Sequence, residues 1–155
     1  MSRAINLEAA SSVTQLSKRT LWRRLSEGQI TRQANDEDGR TMLIFEDLVP
    51  MLCIPMAPED HGLIIEAAAG DAEAQTDLAL LFLDAGKPDI SLPWLTLAAE
   101  QGHPDAMHHL SKLYIQGTGP QKNDSLGLMW LAKAASLGHV IAGKQVTALS
   151  RLGKA

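Results

Sequence analysis

The feature that most constrains the fold is a repeat in the second half of the chain. Glycines at positions 70, 102 and 138 each follow an alanine pair, and they are spaced by 32 and 36 residues. Trp94-Leu95 in one copy corresponds to Trp130-Leu131 in the next. Periods of this length, with small residues between paired helices and aromatic residues that fill the gaps, are typical of helical solenoids. The repeat therefore predicts a short α-solenoid.

The helical periodicity of this part predicts six helices, at about residues 60–69, 72–85, 91–101, 104–116, 123–137 and 139–151. The pattern resembles the Sel-like repeats, relatives of the tetratricopeptide repeat, over about residues 61–152. The resemblance implies a solenoid that binds proteins along one surface. The candidates to line that surface are Asp77, His108, Lys112 and Gln116. The last helix is expected to cap the stack.

The first part of the chain contains a short arginine-rich helix. Ser17 can accept hydrogen bonds from its first turn, and Gly28 can adopt the left-handed backbone that ends a helix. Leu21 and Leu25 are four residues apart and share one face. The opposite face and its flanks carry Lys18, Arg19, Thr20, Arg23 and Arg24. A helix with an apolar underside and a cationic surface can rest on the protein and contact an anionic partner.

The neighbouring segments predict a small mixed unit around this helix. They are a helix at Leu7–Val13 capped by Asn6, strands at Gln29–Ala34 and Thr41–Phe45 around the turn sequence Asn35–Gly39, and a helix at about Glu46–Cys53. Two short helices joined by a tight turn form a helix-turn-helix. The predicted fold class is therefore mainly α, with a winged helix-turn-helix headpiece and a β-hairpin before the solenoid. The expected domains are residues 1–56 and 60–155, with Pro55 and Pro58 in the linker.

The headpiece resembles the excisionase/MerR type of winged helix-turn-helix over roughly residues 5–53. The segments that carry the resemblance are Leu7-Glu8-Ala9-Ala10, Leu16 to Arg24, Gly28, and Phe45-Glu46-Asp47-Leu48. Such domains bind duplex DNA with the second helix in the major groove. The resemblance implies base contacts by Arg19 and Arg23, and phosphate contacts by Lys18, Thr20, Arg24 and Arg32.

Two positions depart from this family pattern. Gln15 stands in the turn where the family usually has glycine, and a left-handed backbone there costs a non-glycine residue about 1 kcal/mol. The predicted wing tip is Asp36-Glu37-Asp38, although a wing that contacts phosphates needs basic residues. Either the wing points away from DNA and Arg32 and Arg40 make the contacts, or the headpiece binds protein instead.

The charge distribution separates the two halves. Residues 1–33 hold six basic and two acidic residues, a net charge of +4, and the remaining residues hold eight basic and sixteen acidic, a net charge of -8. This asymmetry predicts different partners for the two surfaces. The longest apolar run, Leu78–Leu83, is too short to cross a bilayer, and the first ten residues lack a signal pattern. A cytoplasmic location without membrane contact is the expectation.

The sequence contains no pattern that favours catalysis, a cofactor or a metal. Cys53 is the one cysteine, which excludes an internal disulfide and a cysteine-rich zinc site. His103, His108 and His109 lack the i, i+4 spacing of a helical metal site, so surface or capping roles are the better interpretation. No phosphate-binding loop or nucleophile motif is present, and the chain is not expected to be an enzyme.

These observations predict a transcriptional regulator or DNA-architectural protein whose repeats bind a partner protein or form a homodimer. A headpiece this small needs two copies for specific binding. The chain has no heptad run for a coiled coil, so a dimer would form through the repeats. The alternative is an adaptor that does not bind DNA and in which both domains dock proteins.

Overall fold

The computed structural model describes residues 3–153, and the predicted domain limits at residues 1 and 155 lie outside this range. The chain forms two compact units, Met1–Gly70 and Asp71–Ala155. The helix predicted at about residues 60–69, as part of the repeats, lies in the first unit. The expected limits of residues 1–56 and 60–155 stay predictions.

The first unit contains four short helices and three short strands in its described part. They are β1 (Ala4–Asn6), α1 (Leu7–Thr14), α2 (Lys18–Ser26), β2 (Arg32–Gln33), β3 (Met42–Ile44), α3 (Phe45–Leu48) and α4 (His61–Ala68), with 3₁₀ turns at Val49–Met51 and Pro58–Asp60. The predicted third helix at Glu46–Cys53 is shorter because Pro50 has no amide hydrogen to donate. The predicted hairpin strands are likewise shorter than expected.

The three strands form an antiparallel sheet in the order β1-β3-β2. Ala4 pairs with Ile44, and Arg32 pairs with Leu43 on the other side of β3. The strand β1 gives no signal in the sequence, because three residues without a flanking turn do not make a strand pattern. The core beneath the sheet is made by buried apolar residues, which include Ile5, Ala10, Val13, Leu21, Leu43, Phe45, Leu48 and Ile64.

The residues that cap the N-termini of α1 and α2 are those predicted from the sequence. The Asn6 side chain accepts a hydrogen bond from the Ala9 amide at 2.9 Å, and Ser17 Oγ accepts one from the Thr20 amide at 3.1 Å. Gln15 ends α1 with a left-handed φ of 58°, which is the conformation expected for the glycine position of the turn. The two short helices and the tight turn predicted between residues 7 and 26 are therefore present, and the winged helix-turn-helix type stays a prediction.

The second unit contains five helices of 13 residues each in its described part. They are α5 (Ala72–Asp84), α6 (Pro88–Glu100), α7 (Pro104–Gln116), α8 (Asp124–Ser136) and α9 (Val140–Leu152). Consecutive helices pack against each other, so α5–α6 and α7–α8 are two hairpin repeats and α9 follows as a further first helix. The predicted limits agree within about one residue except at α6, which begins at Pro88 rather than 91 because proline is favoured in a first helical turn.

The predicted small-residue packing lies in the core of the second unit. Ala74, Ala98, Ala106, Ala134 and Ala142 are buried where helices approach, with Phe82 and Trp94 between them. Trp130 was expected in the core, but it is only half-buried and has the Lys133 ammonium 5.0 Å from its ring centroid. The repeat core therefore depends more on alanine contacts than on the second tryptophan.

Candidate functional site

The helix α2 presents the predicted cationic surface. Arg19 and Arg23 are exposed and Arg24 is half-buried. Within residues 3–153 no carboxylate lies within ion-pair distance of these three guanidinium groups. Lys18 differs, because its ammonium is paired with Glu8 on α1. Three of the four cations predicted on α2 therefore have no carboxylate partner within residues 3–153.

Trp22 and Arg32 form a second feature beside this surface. Trp22 is 40% exposed, whereas Leu21 on the same helix is fully buried. The Arg32 guanidinium lies 5.7 Å from the centroid of the indole ring and donates a hydrogen bond to Asn35 Oδ1 at 2.9 Å. Thr20 is also engaged, since its hydroxyl is 2.9 Å from Ser17 Oγ. Arg32 is thus held against Trp22 by a cation–π contact.

The acidic turn predicted as the wing tip is paired with a basic residue of the same loop. The Asp36 carboxylate accepts hydrogen bonds from the Arg40 amide at 2.8 Å and from Arg40 Nε at 2.6 Å. These bonds, the backbone one above all, hold the pKa of Asp36 below its usual value. The Arg40 guanidinium is also 3.6 Å from Asp38. Arg40 therefore offers little free charge for the phosphate contact considered above.

Histidines cap two of the repeat helices. His103 Nδ1 is 3.4 Å from the Ala106 amide at the start of α7, and His139 Nδ1 accepts from the Ala142 amide at 3.1 Å at the start of α9. An accepting Nδ1 carries no proton, so the His139 proton is on Nε2, which lies 3.0 Å from Asp105 Oδ1. The capping interpretation of His103 agrees with this geometry.

His108 was proposed as a residue on an open surface, but the structure buries it. Its side chain is 6% exposed, stacks on His139 with a centroid distance of 4.5 Å, and lies 3.1 Å from Gln145 Oε1 through Nε2. Desolvation lowers the pKa of His108, although the bond with Gln145 opposes this shift. Desolvation also lowers the pKa of the adjacent His109. His108 therefore links α7 to α9 and does not line an exposed surface.

The other three proposed residues are exposed, and they are Asp77, Lys112 and Gln116. They share one side of the first helix of each hairpin, which is α5 or α7, and α9 has the equivalent side. We call this side the first-helix face. Its members are Glu73, Asp77, Leu80 and Asp84 on α5, Asp105, His109, Lys112 and Gln116 on α7, and Ile141, Gln145, Ala148 and Leu152 on α9. All are exposed except Leu80 and His109, which are half-buried.

Each set on this face has the spacing i, i+4, i+7, i+11, which keeps four side chains on one side of a helix. The three sets are related by the repeat offsets of 32 and 36 residues. Applying these offsets to Asp77, Lys112 and Gln116 and adding the helical period could have found all twelve positions from the sequence.

The second unit is the part of the chain that is similar to known proteins. The model of the Sel1 repeat family matches residues 72–103 and 104–139, which correspond to the α5–α6 and α7–α8 hairpins. These two hairpins are Sel1 repeats. A Sel1 repeat protein from Oxalobacter formigenes has a similar structure, with a TM-score of 0.55 and 29% identity over 59% of this chain and 40% of that chain.

A second similar structure is a protective antigen present in uropathogenic Escherichia coli strains, which displays an SLR fold. Its TM-score is 0.54, its identity is 26%, and the match covers 61% of this chain and 22% of that chain. This chain thus spans less than half the length of both proteins. No curated protein matches the sequence. The family match covers residues 72–139, and the resemblance of residues 5–53 to the excisionase/MerR type stays a prediction.

The helix α9 follows the Sel1 repeats and has one side that carries exposed polar residues. Lys144, Thr147 and Arg151 are exposed, although their counterparts on α7 are His108, Ser111 and Ile115, which face neighbouring helices or the core. A polar outer side is the property expected of a helix that ends a repeat stack. The capping role of the last helix stays a prediction.

Within residues 3–153 no group of three histidine, cysteine, aspartate or glutamate side chains is placed to hold a metal ion. In the same range, none of the helices is both long enough and apolar enough to cross a bilayer.

Proposed function

We propose that this chain is a protein-interaction scaffold whose Sel1 repeats bind a segment of a partner protein along the first-helix face. The observation that carries this proposal is the repeated side-chain register on α5, α7 and α9, which places exposed groups at equivalent positions on three successive helices. Surfaces built from stacked helix pairs are suited to extended protein ligands. The Sel1 family match over residues 72–139 supports the same function.

The test is a selection of peptides from a displayed random library on the immobilised full chain. Selected peptides should lose affinity for the Asp77→Lys and Lys112→Glu variants, which change charges on the first-helix face. Glu100→Lys is the matched control, because Glu100 is an exposed charge at the end of α6 and lies outside this face. If no peptide is selected, or if all three variants behave alike, the scaffold proposal is rejected.

A second function, DNA binding by the first unit, is favoured by the guanidinium groups of Arg19, Arg23 and Arg24, which have no carboxylate partner among residues 3–153. Four to six phosphate contacts predict that log K falls with log salt with a slope of about -4 to -5. Arg19→Ala combined with Arg23→Ala should weaken duplex binding without unfolding the unit, because both side chains are exposed. Lys112→Ala is the control for loss of positive charge elsewhere. No duplex binding at low salt would leave the scaffold function alone.

A further inference from the structure

The chemical character of the first-helix face changes from one end to the other. On α5 it carries three exposed carboxylates, those of Glu73, Asp77 and Asp84, and no cation. On α7 it carries one carboxylate and one ammonium group, together with a histidine and a glutamine. On α9 it carries no charge, and Ile141 and Leu152 are 56% and 72% exposed. The face is therefore acidic at one end and apolar at the other.

Charges outside the face follow the same direction. Outside the face, residues 72–103 contain two acidic residues, Asp89 and Glu100, and one basic residue, Lys87, whereas residues 140–155 contain three basic residues and no acidic one. Lys144 and Arg151 thus flank the apolar end of the face on α9. A ligand with the opposite order of charges would meet repulsion at both ends.

Direct contacts fix the order of the three first helices. Thr76 Oγ1 on α5 lies 3.2 Å from His103 Nδ1 at the start of α7, and His108 on α7 reaches Gln145 on α9. Neighbouring packed helices are separated by about 8–10 Å, so the acidic and apolar ends are roughly 20 Å apart. An extended chain advances about 3.3 Å per residue and covers this distance in roughly six residues.

Resting on the proposed function, we propose that the first-helix face binds a linear protein segment in one orientation. Basic side chains of the segment contact the carboxylates of α5, and apolar side chains about six residues away cover Ile141 and Leu152 on α9. An acidic residue beside the apolar end would gain further attraction from Lys144 and Arg151. The partner is thus a segment with a basic end and an apolar end. The repeats bind it with the basic end on α5 and the apolar end on α9.

The test uses a fluorescent synthetic peptide with a cluster of basic residues, a spacer of about four serine and glycine residues, and a cluster of leucine and phenylalanine. Its control has the same composition with basic and apolar residues interleaved. Binding of both peptides to the full chain is measured by fluorescence anisotropy at several salt concentrations. The ordered peptide should bind on the order of tenfold more tightly than the interleaved one.

Two variants separate the ends of the face. Asp77→Asn should weaken binding of the ordered peptide and reduce its salt dependence, because it removes an ion pair. Leu152→Ser should weaken binding and leave the salt dependence unchanged, because it removes an apolar contact. Circular dichroism should show that both variants stay folded, since both positions are exposed.

Equal affinity of the two peptides, equal salt behaviour of the two variants, or no binding at millimolar concentration would overturn the proposal. Sedimentation of the chain alone tests a second copy as the occupant, and a dimer that Asp77→Lys dissociates would also overturn it. The proposed function can fail separately. Suppose that peptides selected from a random library bind the face but have no basic and apolar ends. The scaffold function would then stand, and the proposed orientation would be wrong.

Discussion

The substitution Gly127→Ala tests the close approach of α7 and α8 within the Sel1 repeats. Gly127 is the fourth residue of α8, and a Cβ built on it would lie 2.6 Å from Ile115 Cγ1 and 3.0 Å from the Ser111 carbonyl oxygen. Ile115 can rotate, but the carbonyl oxygen belongs to the backbone of α7. The added methyl group therefore requires the two helices to separate.

The expected cost follows from two opposing effects. Alanine is favoured over glycine inside a helix by about 1 kcal/mol. Forcing an extra carbon into a packed contact costs about 1–3 kcal/mol. The second effect dominates because one of the two short contacts cannot relax by rotation, and we expect a net loss of about 1 kcal/mol.

Gly143 provides a matched control, since it is the fourth residue of α9 and a Cβ there would meet no atom within 4 Å. Gly143→Ala should stabilise the protein by about 0.5–1 kcal/mol, because only the helix propensity changes. The assay is urea unfolding followed by circular dichroism, with thermal unfolding as a check. A change of 1 kcal/mol in the free energy of unfolding shifts the midpoint of thermal unfolding by about 4–8 °C in a unit of this size. If Gly127→Ala stabilises as much as Gly143→Ala, the inferred α7–α8 contact is wrong.

Three further predictions concern stability. Because burial lowers the pKa values of His108 and His109 from 6.5, the unfolded chain binds more protons below that pH, so stability should be full above about pH 6.5 and decrease toward pH 5. Urea midpoints at several pH values measure this, and replacing both histidines by glutamine should flatten the profile. Ser17→Ala should cost about 1 kcal/mol by removing the cap of α2, whereas Ser17→Asp should retain most of it, as chemical denaturation will show. Phe82→Ala should cost about 3–5 kcal/mol, since its side chain is fully buried, and a calorimetric midpoint unchanged from the parent would contradict the repeat core.

The elements that could be predicted from the sequence are those with local causes. Ser17 caps α2 through a residue three positions away, and the alanine pairs recur with the period of the Sel1 repeats. Gln15 adopts the left-handed conformation that usually requires glycine. The strain of about 1 kcal/mol is small enough for the rest of the turn to offset.

The elements that could not be predicted depend on contacts that are distant in the sequence. The strand β1 exists because Ala4 and Asn6 pair with β3 almost forty residues later. His108 is buried because α9 brings His139 and Gln145 against it. Only a comparison of register between repeats, which places His108 opposite the buried Thr76, could have indicated this burial. Charge patterns likewise predicted the cations of α2, but not that Glu8 pairs with one of them.

The polar outer side of α9 sets a rule for lengthening this array by design. A helix pair appended after α9 would have to stack on Lys144 and Arg151, and it would bury two cations without partners. A pair inserted between α8 and α9 would instead pack on the surfaces that already join successive hairpins. The polar side of α9 would stay exposed to solvent. Copies of the α7–α8 hairpin inserted at that position should therefore give longer proteins that stay soluble, whereas the same copies added at the end should be poorly soluble.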